Sequence, residues 1–436
     1  MKSSMAEPRK LLMLTKHFPF NEGYTPAESY LETEILTLAM SFDEVLIIAS
    51  EAVGENEPIC DLPENVSAIE LEQHRGATSK ALLAARGALL PVVGSGKTKD
   101  AFHGDWGIGL PAFVFEGYYI AKAKRKYDAI LGVLQKRDFT PTYIYSFWFF
   151  DTSLVASWIK QDTGAVCYSR AHRYDLYPER NSIGYLPCRE YQLKWNDRVF
   201  PCSKDGLDYL LDRYSEWEGK IHLSYLGTKD LPDCTKRSSS GTFSIVSCSS
   251  LVPTKRAPLI AEALKLIGET DAPIKWTHFG DGPEMGKLKE VAKSVPNADV
   301  ELRGNVSNEL LLQEYSKMQV DLFVNVSSSE GLPISIMEAC GHGFPVLATN
   351  VGGTSEIVKD GVNGALLPEH LSKEQLANEL KRFYEMPEES RRAMRSASRR
   401  IWQESFQTKN NALSLLDEVF SIGEKYGKGC DGSDNE

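Results

Sequence analysis

Asp321-Leu322-Phe323-Val324-Asn325-Val326-Ser327-Ser328-Ser329-Glu330-Gly331-Leu332-Pro333-Ile334-Ser335-Ile336-Met337-Glu338-Ala339 is the stretch that decides how this chain folds. The run from Asp321 to Val326 reads as a buried strand. Ser327 to Ser329 supply turn and helix-cap chemistry, and Pro333 suits a first helical turn. Ile334 to Gly341 then reads as a short helix, stopped by Gly341 and Gly343. Glu330 therefore stands at the carboxyl end of a strand, where open α/β sheets bind ligands. Glu338 follows about a turn and a half into the helix, within reach of a second part of the same ligand. Backbone N–H groups between the two can accept an anion. The arrangement suits a molecule with hydroxyls at both ends and phosphates between them. Two glutamates eight residues apart are in themselves ordinary helix surface charges. The strand before them and the Glu-Gly-Leu-Pro context set these apart.

Behind the helix come Gly341-His342-Gly343-Phe344-Pro345-Val346-Leu347-Ala348-Thr349 and Val351-Gly352-Gly353-Thr354-Ser355-Glu356-Ile357-Val358. With the two glutamates separated by seven residues, this series resembles the donor-site signature of retaining glycosyltransferases of the GT-B fold, the family-four group. The resemblance is strong over 242–368 and weak over 50–140, and Lys16 to Glu34, with its Phe18-Pro19 loop and Glu-rich run, resembles the opening of bacterial polysaccharide-assembly members. It implies an α/β protein of two Rossmann-like domains whose parallel sheets face across a cleft. It further implies that Glu330 holds the sugar of a nucleotide sugar and Glu338 its ribose, with Gly331, Leu332 and Pro333 lining the donor between them.

The length of 436 residues exceeds one typical core, so two domains are expected. Apolar content of 42% and charged content of 25% are those of a soluble globular protein, and a net charge of −11 argues against a general nucleic-acid binder. Eight cysteines are scattered without a Cys-x-x-Cys pair, which reads as free thiols in a reducing compartment. The amino-terminal residues show no signal peptide, and no apolar run reaches the roughly 18 residues of a membrane span. A cytoplasmic protein is expected.

Strand-like and helical runs alternate along the chain. Strands are predicted at 11–15, 44–49, 143–146, 165–168, 198–201 and 220–224, then at 243–247, 274–279, 299–303, 321–326 and 345–349. A loop-rich stretch at 228–241 reads as a linker. The expected division is an acceptor-binding domain over 1–228, a nucleotide-sugar-binding domain over 229–400, and a last helix near 401–424 that the resemblance returns to the first domain. A Gly-, Asp- and Ser-rich tail at 425–436 is expected to be disordered. Residues 71–112 fit the alternation poorly. The apolar run 81–93 suits a core helix, a lid or an interfacial segment, and Gly94-Ser95-Gly96-Lys97-Thr98 imitates a phosphate loop but has Pro91 where its first glycine should stand.

Other candidates follow predicted strand ends. His172, in Arg170-Ala171-His172-Arg173, resembles the family histidine that contacts the transferred sugar. The family's diphosphate site carries an Arg and, five residues on, a Lys. Here Lys255 keeps the second position, Ser250 occupies the first, and Arg256 is the candidate substitute. Gly280 and Asp281, after the strand at 274–279, and Asn305, after Gly304, fall where the family approaches the base. Gly23, in the loop after the first strand, would let backbone approach the sugar. Glu28 and Glu32 share a helix face, and Trp148 suits either an acceptor channel or the core.

The resemblance implies a retaining hexosyl transfer in which Lys255 steadies the departing nucleoside diphosphate, His172 and Glu330 orient the sugar, and no metal or other cofactor is required. The expected partners are a nucleotide sugar and a saccharide or lipid-linked saccharide acceptor. A helix bearing Lys122, Lys124, Arg125 and Lys126 offers a peripheral contact with anionic lipid at the inner face of the membrane, or simply a solvated basic edge. A sugar-nucleotide epimerase and a binding protein without turnover remain alternatives on the same fold.

Overall fold

The computed structural model describes residues 8–20, 28, 31–51, 58, 60–71, 83, 87, 89, 96–102, 109–235, 241–267, 270–296 and 298–428. Gly23, most of the apolar run 81–93 and the tail from 429 lie outside them, as do the expectations attached to those segments. The chain forms two units, Met1–Ser224 with Ala412–Glu436, and Tyr225–Asn411.

The first unit is built on β1 (Lys10–Thr15), β2 (Glu44–Ala49), β3 (Val66–Glu70), β4 (Tyr143–Ser146), β5 (Val166–Ala171) and β6 (Arg198–Pro201), all parallel, in the order β3-β2-β1-β4-β5-β6. β1 is apolar along its length because both sheet faces are covered. Leu11 and Met13 pack on one face with helix Leu31–Ser41 and with Leu415, Leu416, Val419 and Ile422 of the last helix. Leu12 and Leu14 pack on the other face with helices Leu110–Lys136 and Asp151–Thr163.

The second unit repeats this plan with β7 (Phe243–Cys248), β8 (Ile274–Phe279), β9 (Ala298–Leu302), β10 (Leu322–Asn325), β11 (Val346–Thr349) and β12 (Gly364–Leu367), in the order β12-β11-β10-β7-β8-β9. Each sheet has the Rossmann order and reverses direction once, between β1 and β4 in the first unit and between β7 and β10 in the second.

Several predicted elements differ. Residues 220–224 form no strand: a 3-10 helix, Ser215–Lys220, is followed by a lone bridge from Ile221 to Val199. β3 and β12 are edge strands too short and too mixed to announce themselves. The predicted carboxyl-terminal helix is two helices, Glu388–Ser405 and Thr408–Lys428. They break because Phe406 O and Thr408 N bond the backbone of Thr228, at 2.9 and 3.0 Å. Trp402 and Phe406 stay in the core of the second unit, and Leu413 is exposed.

The basic helix is also corrected. Lys122 and Lys126 turn inward, within 2.6 and 2.8 Å of Glu51 and 3.0 and 2.8 Å of the wholly buried Asp151. Lys124 pairs with Asp128 at 2.6 Å. A lipid-facing cationic stripe is therefore not formed. Among the described residues no helix is long and apolar enough to cross a membrane. Lys97, of the imitation phosphate loop, donates to the Trp158 carbonyl at 2.8 Å and pairs with Asp162.

Lys126→Ala would leave the buried Asp151 carboxylate to Lys122 alone. Breaking a buried pair costs about 3 kcal/mol or more. Urea unfolding should show a loss of about 3 kcal/mol. A change under about 1 kcal/mol would mean that the cluster behaves as a solvated surface pair.

Candidate functional site

The second sheet reverses between β7 and β10, and the two predicted residues with opposite charge meet at that point. After β7, Pro253–Lys255 forms one 3-10 turn and Arg256 takes a left-handed backbone, φ 50°, before helix Ala257–Ile267. After β10, residues 326–330 turn back beside it, with Ser328 N donating to Thr254 O at 2.8 Å. Lys255 Nζ thereby lies 2.6 Å from Glu330 Oε1, and the carboxylate is 9% exposed. Asn325 Nδ2 donates to the same oxygen at 3.3 Å, while Asn325 Oδ1 accepts from Ser327 N at 3.0 Å. Lys255, Asn325, Ser247, Cys248, His278 and Ser327 line a recess of about 10 Å³. That is roughly room for one water.

Arg256 does something other than expected. Its guanidinium donates to the carbonyls of Val326, Ser327 and Glu369 at 2.6, 3.2 and 3.1 Å. It fastens the two turns together. Ser250 is exposed. Of the two predicted cations, Lys255 alone reaches Glu330.

Glu338 sits on helix Ile334–Gly341, for which Pro333 is the cap residue and not the first helical position. Its carboxyl is 5% exposed, accepts from Asn308 Nδ2 at 2.7 Å, and is pushed up to about 7 by burial, against the opposing influence of Asn308 and Lys229. Its backbone carbonyl accepts at 2.9 Å from Nδ1 of the buried His342.

Glycines shape the walls. Gly280 has φ 132°, and a Cβ there would lie 1.9 Å from Ser249 O. Gly352 has φ 52°, and a Cβ would lie 2.1 Å from Glu330 O, so the glycine turn presses directly on the backbone that presents Glu330. Gly353 N donates to Gly331 O at 2.7 Å, which pins the residue after Glu330. Leu332 is half-buried against the core, Pro333 is buried, and Asp281 and Asn305 are exposed. The Asp281 carboxylate accepts from Gly282 N at 2.6 Å.

In the first unit, His172 ends β5 as expected, but its ring is committed. Nε2 pairs with the Phe147 carbonyl at 2.9 Å, Nδ1 with Cys202 Sγ at 3.5 Å, and the ring packs 4.6 Å from Phe147 and Trp148. Burial, aided by Arg170 and Lys16, lowers its pKa to about 3, so the ring is neutral. His172 thus stands at the strand end that the sequence predicts, as a buried, neutral ring engaged by Phe147 and Cys202. Trp148 is buried and donates to Glu28 at 2.5 Å. Glu28 is no solvated face either. It is 3% exposed and accepts from the backbone of Lys16, His17 and Phe18 at 3.0, 2.7 and 2.6 Å.

Two site residues went unnoticed in the sequence. Asn325 is an amide inside an apolar strand, which needs partners when buried and so could have been flagged. Asn308 opens a helix with an ordinary polar composition, and nothing local marks it.

The raised Glu338 pKa carries a pH signature. A carboxyl that ionises near 4.5 unfolded and near 7 folded binds more protons in the native state between those values, so stability falls as pH rises from about 4.5 to 7. Glu338→Gln, which keeps an acceptor for Asn308, should remove the penalty. Unfolding at pH 8 should show a gain of about 2–3 kcal/mol, shrinking toward zero at pH 5. A pH-independent difference would contradict this.

Residues 235–401 match the family described as glycosyl transferases group 1. The chain is 29% identical over 237 residues to the UDP-N-acetylglucosamine–peptide N-acetylglucosaminyltransferase GtfA subunit of Streptococcus pneumoniae, covering 50% of this chain and 45% of that protein. It is 28% identical over 123 residues to the poly(ribitol-phosphate) alpha-N-acetylglucosaminyltransferase of Staphylococcus aureus, covering 28% of this chain and 24% of that protein. The matches thus span less than half the length of these curated relatives. Among solved structures, sucrose-phosphate synthase from Thermosynechococcus elongatus superposes with a TM-score of 0.68 at 15% identity, covering 95% of this chain and 100% of that one. Anabaena HepE in complex with UDP gives 0.61 at 15% identity, with the same coverage. The chain has the GT-B fold of these neighbours, and the segment that matches glycosyl transferases group 1 lies wholly within its second unit.

Proposed function

We propose that the chain is a retaining glycosyltransferase that moves a hexosyl unit from a nucleotide sugar to a saccharide or lipid-linked saccharide in polysaccharide or glycoconjugate assembly. The observation that carries this reading is the pair of half-buried Lys255 and buried Glu330 at the reversal point between β7 and β10. A cation and a carboxylate side by side suit a ligand whose diphosphate adjoins a sugar. Lys255 would take the phosphate charge that grows as the glycosidic bond breaks, where a positioned cation is most effective. Glu330 would accept hydrogen bonds from sugar hydroxyls, and Glu338 from the ribose. The acceptor oxygen would attack the face from which the diphosphate departs, and a phosphate oxygen would take its proton. Side chains and helix ends would carry the phosphate charge without a metal. The first unit would bind the acceptor.

UDP appears in the description of the HepE structure, and UDP-N-acetylglucosamine in the name of the pneumococcal relative. Uridine nucleotide sugars are therefore the first donors to try. The buried thiols of Cys167, Cys188, Cys202 and Cys340 support a reducing, cytoplasmic setting. A second reading, nucleotide-sugar binding without turnover, draws on two positions: Ser250 is uncharged and Arg256 is turned toward carbonyls.

A thermal-shift screen over nucleotide sugars should find one that raises the melting point. The wild-type protein should then release nucleoside diphosphate from it, and Lys255→Ala should slow release by a factor on the order of 100 or more. Tight binding with no release by the wild-type protein would favour the second reading.

A further inference from the structure

We infer that Asn325 is a positioning residue for Glu330, and that it holds the carboxylate in place when Lys255 leaves it for the donor diphosphate. The inference rests on the donor reading given above.

Glu330 Oε1 has two partners, one charged and one neutral: Lys255 Nζ at 2.6 Å and Asn325 Nδ2 at 3.3 Å. These partners belong to different backbone segments. Lys255 ends a 3-10 turn after β7, on a flexible four-carbon stem, and its side chain is 25% exposed. Asn325 is the last residue of β10, 6% exposed, with its backbone held in the sheet. Its other amide atom, Oδ1, accepts from Ser327 N at 3.0 Å, which fixes the amide plane. The Ser327 carbonyl in turn accepts from Arg256 at 3.2 Å and from Thr349 Oγ1. One of the two grips on Glu330 is thus mobile and the other is anchored.

An anionic diphosphate reaching this turn competes with Glu330 for the Lys255 ammonium. If the lysine exchanges partners, the buried carboxylate loses its counter-charge and would swing away unless something still donates to it. Asn325 remains, and it donates to Oε1 in the direction already set by Ser327. Oε2 is then presented to the sugar hydroxyls. Phosphate recognition and sugar recognition are coupled in this way: the diphosphate takes Lys255, and Glu330, held by Asn325, becomes an acceptor for hydroxyls.

Asn325→Asp separates the two halves of the side chain. Aspartate keeps an oxygen for Ser327 N, and so keeps the turn, but cannot donate to Glu330. Binding of UDP and of the UDP-sugar found in the screen would be measured by calorimetry on the wild type and on this variant, with Asn325→Ser as a second, uncharged variant. A hydrogen bond to a charged group corresponds to about 10- to 100-fold in affinity. The expected result is that the UDP-sugar weakens by roughly that factor in both variants while UDP alone changes less than about threefold. A purely structural role would weaken both ligands together and lower the melting point of the unbound protein in parallel. Equal losses for the two ligands, or none, overturn the inference. Wild-type protein that binds neither ligand overturns the donor reading as well.

Discussion

Everything at the candidate site depends on two turns being held side by side at the carboxyl end of the second sheet. β7 and β10 are neighbours only because the strand order reverses there, so the loops leaving them diverge toward opposite sheet faces and open a crevice. Such a crevice exposes backbone that must be satisfied. Arg256 does this by donating to three carbonyls, two of them on the turn that leads to Glu330. A guanidinium with several donors in a fixed plane suits that task better than an ammonium. The neighbouring Lys255, with a flexible stem, pairs with Glu330 instead. Two adjacent basic residues have thus divided into one that ties backbone carbonyls and one that meets a carboxylate.

The division explains which features could be read from residues alone. The helix at Ile334–Gly341 has the boundaries that its pattern and its glycines announce. Most strands were legible because apolar runs bounded by turn residues are buried on both faces of a parallel sheet. β3 and β12, at sheet edges, lack that continuous signal. The break between the last two helices was invisible because it is imposed from Thr228, far along the chain, whose backbone captures groups on either side of Gln407. A local periodicity cannot report a bond to residue 228.

Charges were less legible than apolar residues. Composition gave Lys122 and Lys126 as surface cations, yet both face Glu51 and Asp151 within the first unit. Glu28, read with Glu32 as sharing a helix face, instead caps three consecutive backbone N–H groups. In each case the deciding partner lies on another strand end. Ionisable side chains near the carboxyl edge of a Rossmann sheet have a choice between solvent and the loop backbone of adjacent strands, and sequence spacing does not say which they take. The same ambiguity applies to His172, whose strand-end position is correct while its ring nitrogens are engaged by Phe147 and Cys202.

The two carboxylates of the second unit show why position alone does not fix chemistry. Glu330 has Lys255 Nζ at 2.6 Å and the Asn325 amide at 3.3 Å on one oxygen, so it is held by two donors. Glu338 is deeply buried, which raises its pKa to about 7 against the opposing pull of its amide donor Asn308, and leaves it part-protonated at neutral pH. The first is an acceptor whose availability depends on where Lys255 goes. The second can both give and receive a hydrogen bond, a property suited to a vicinal diol, where one hydroxyl donates and the other accepts. Environment therefore separates the two glutamates into unlike tools, although the sequence presents them as a matched pair.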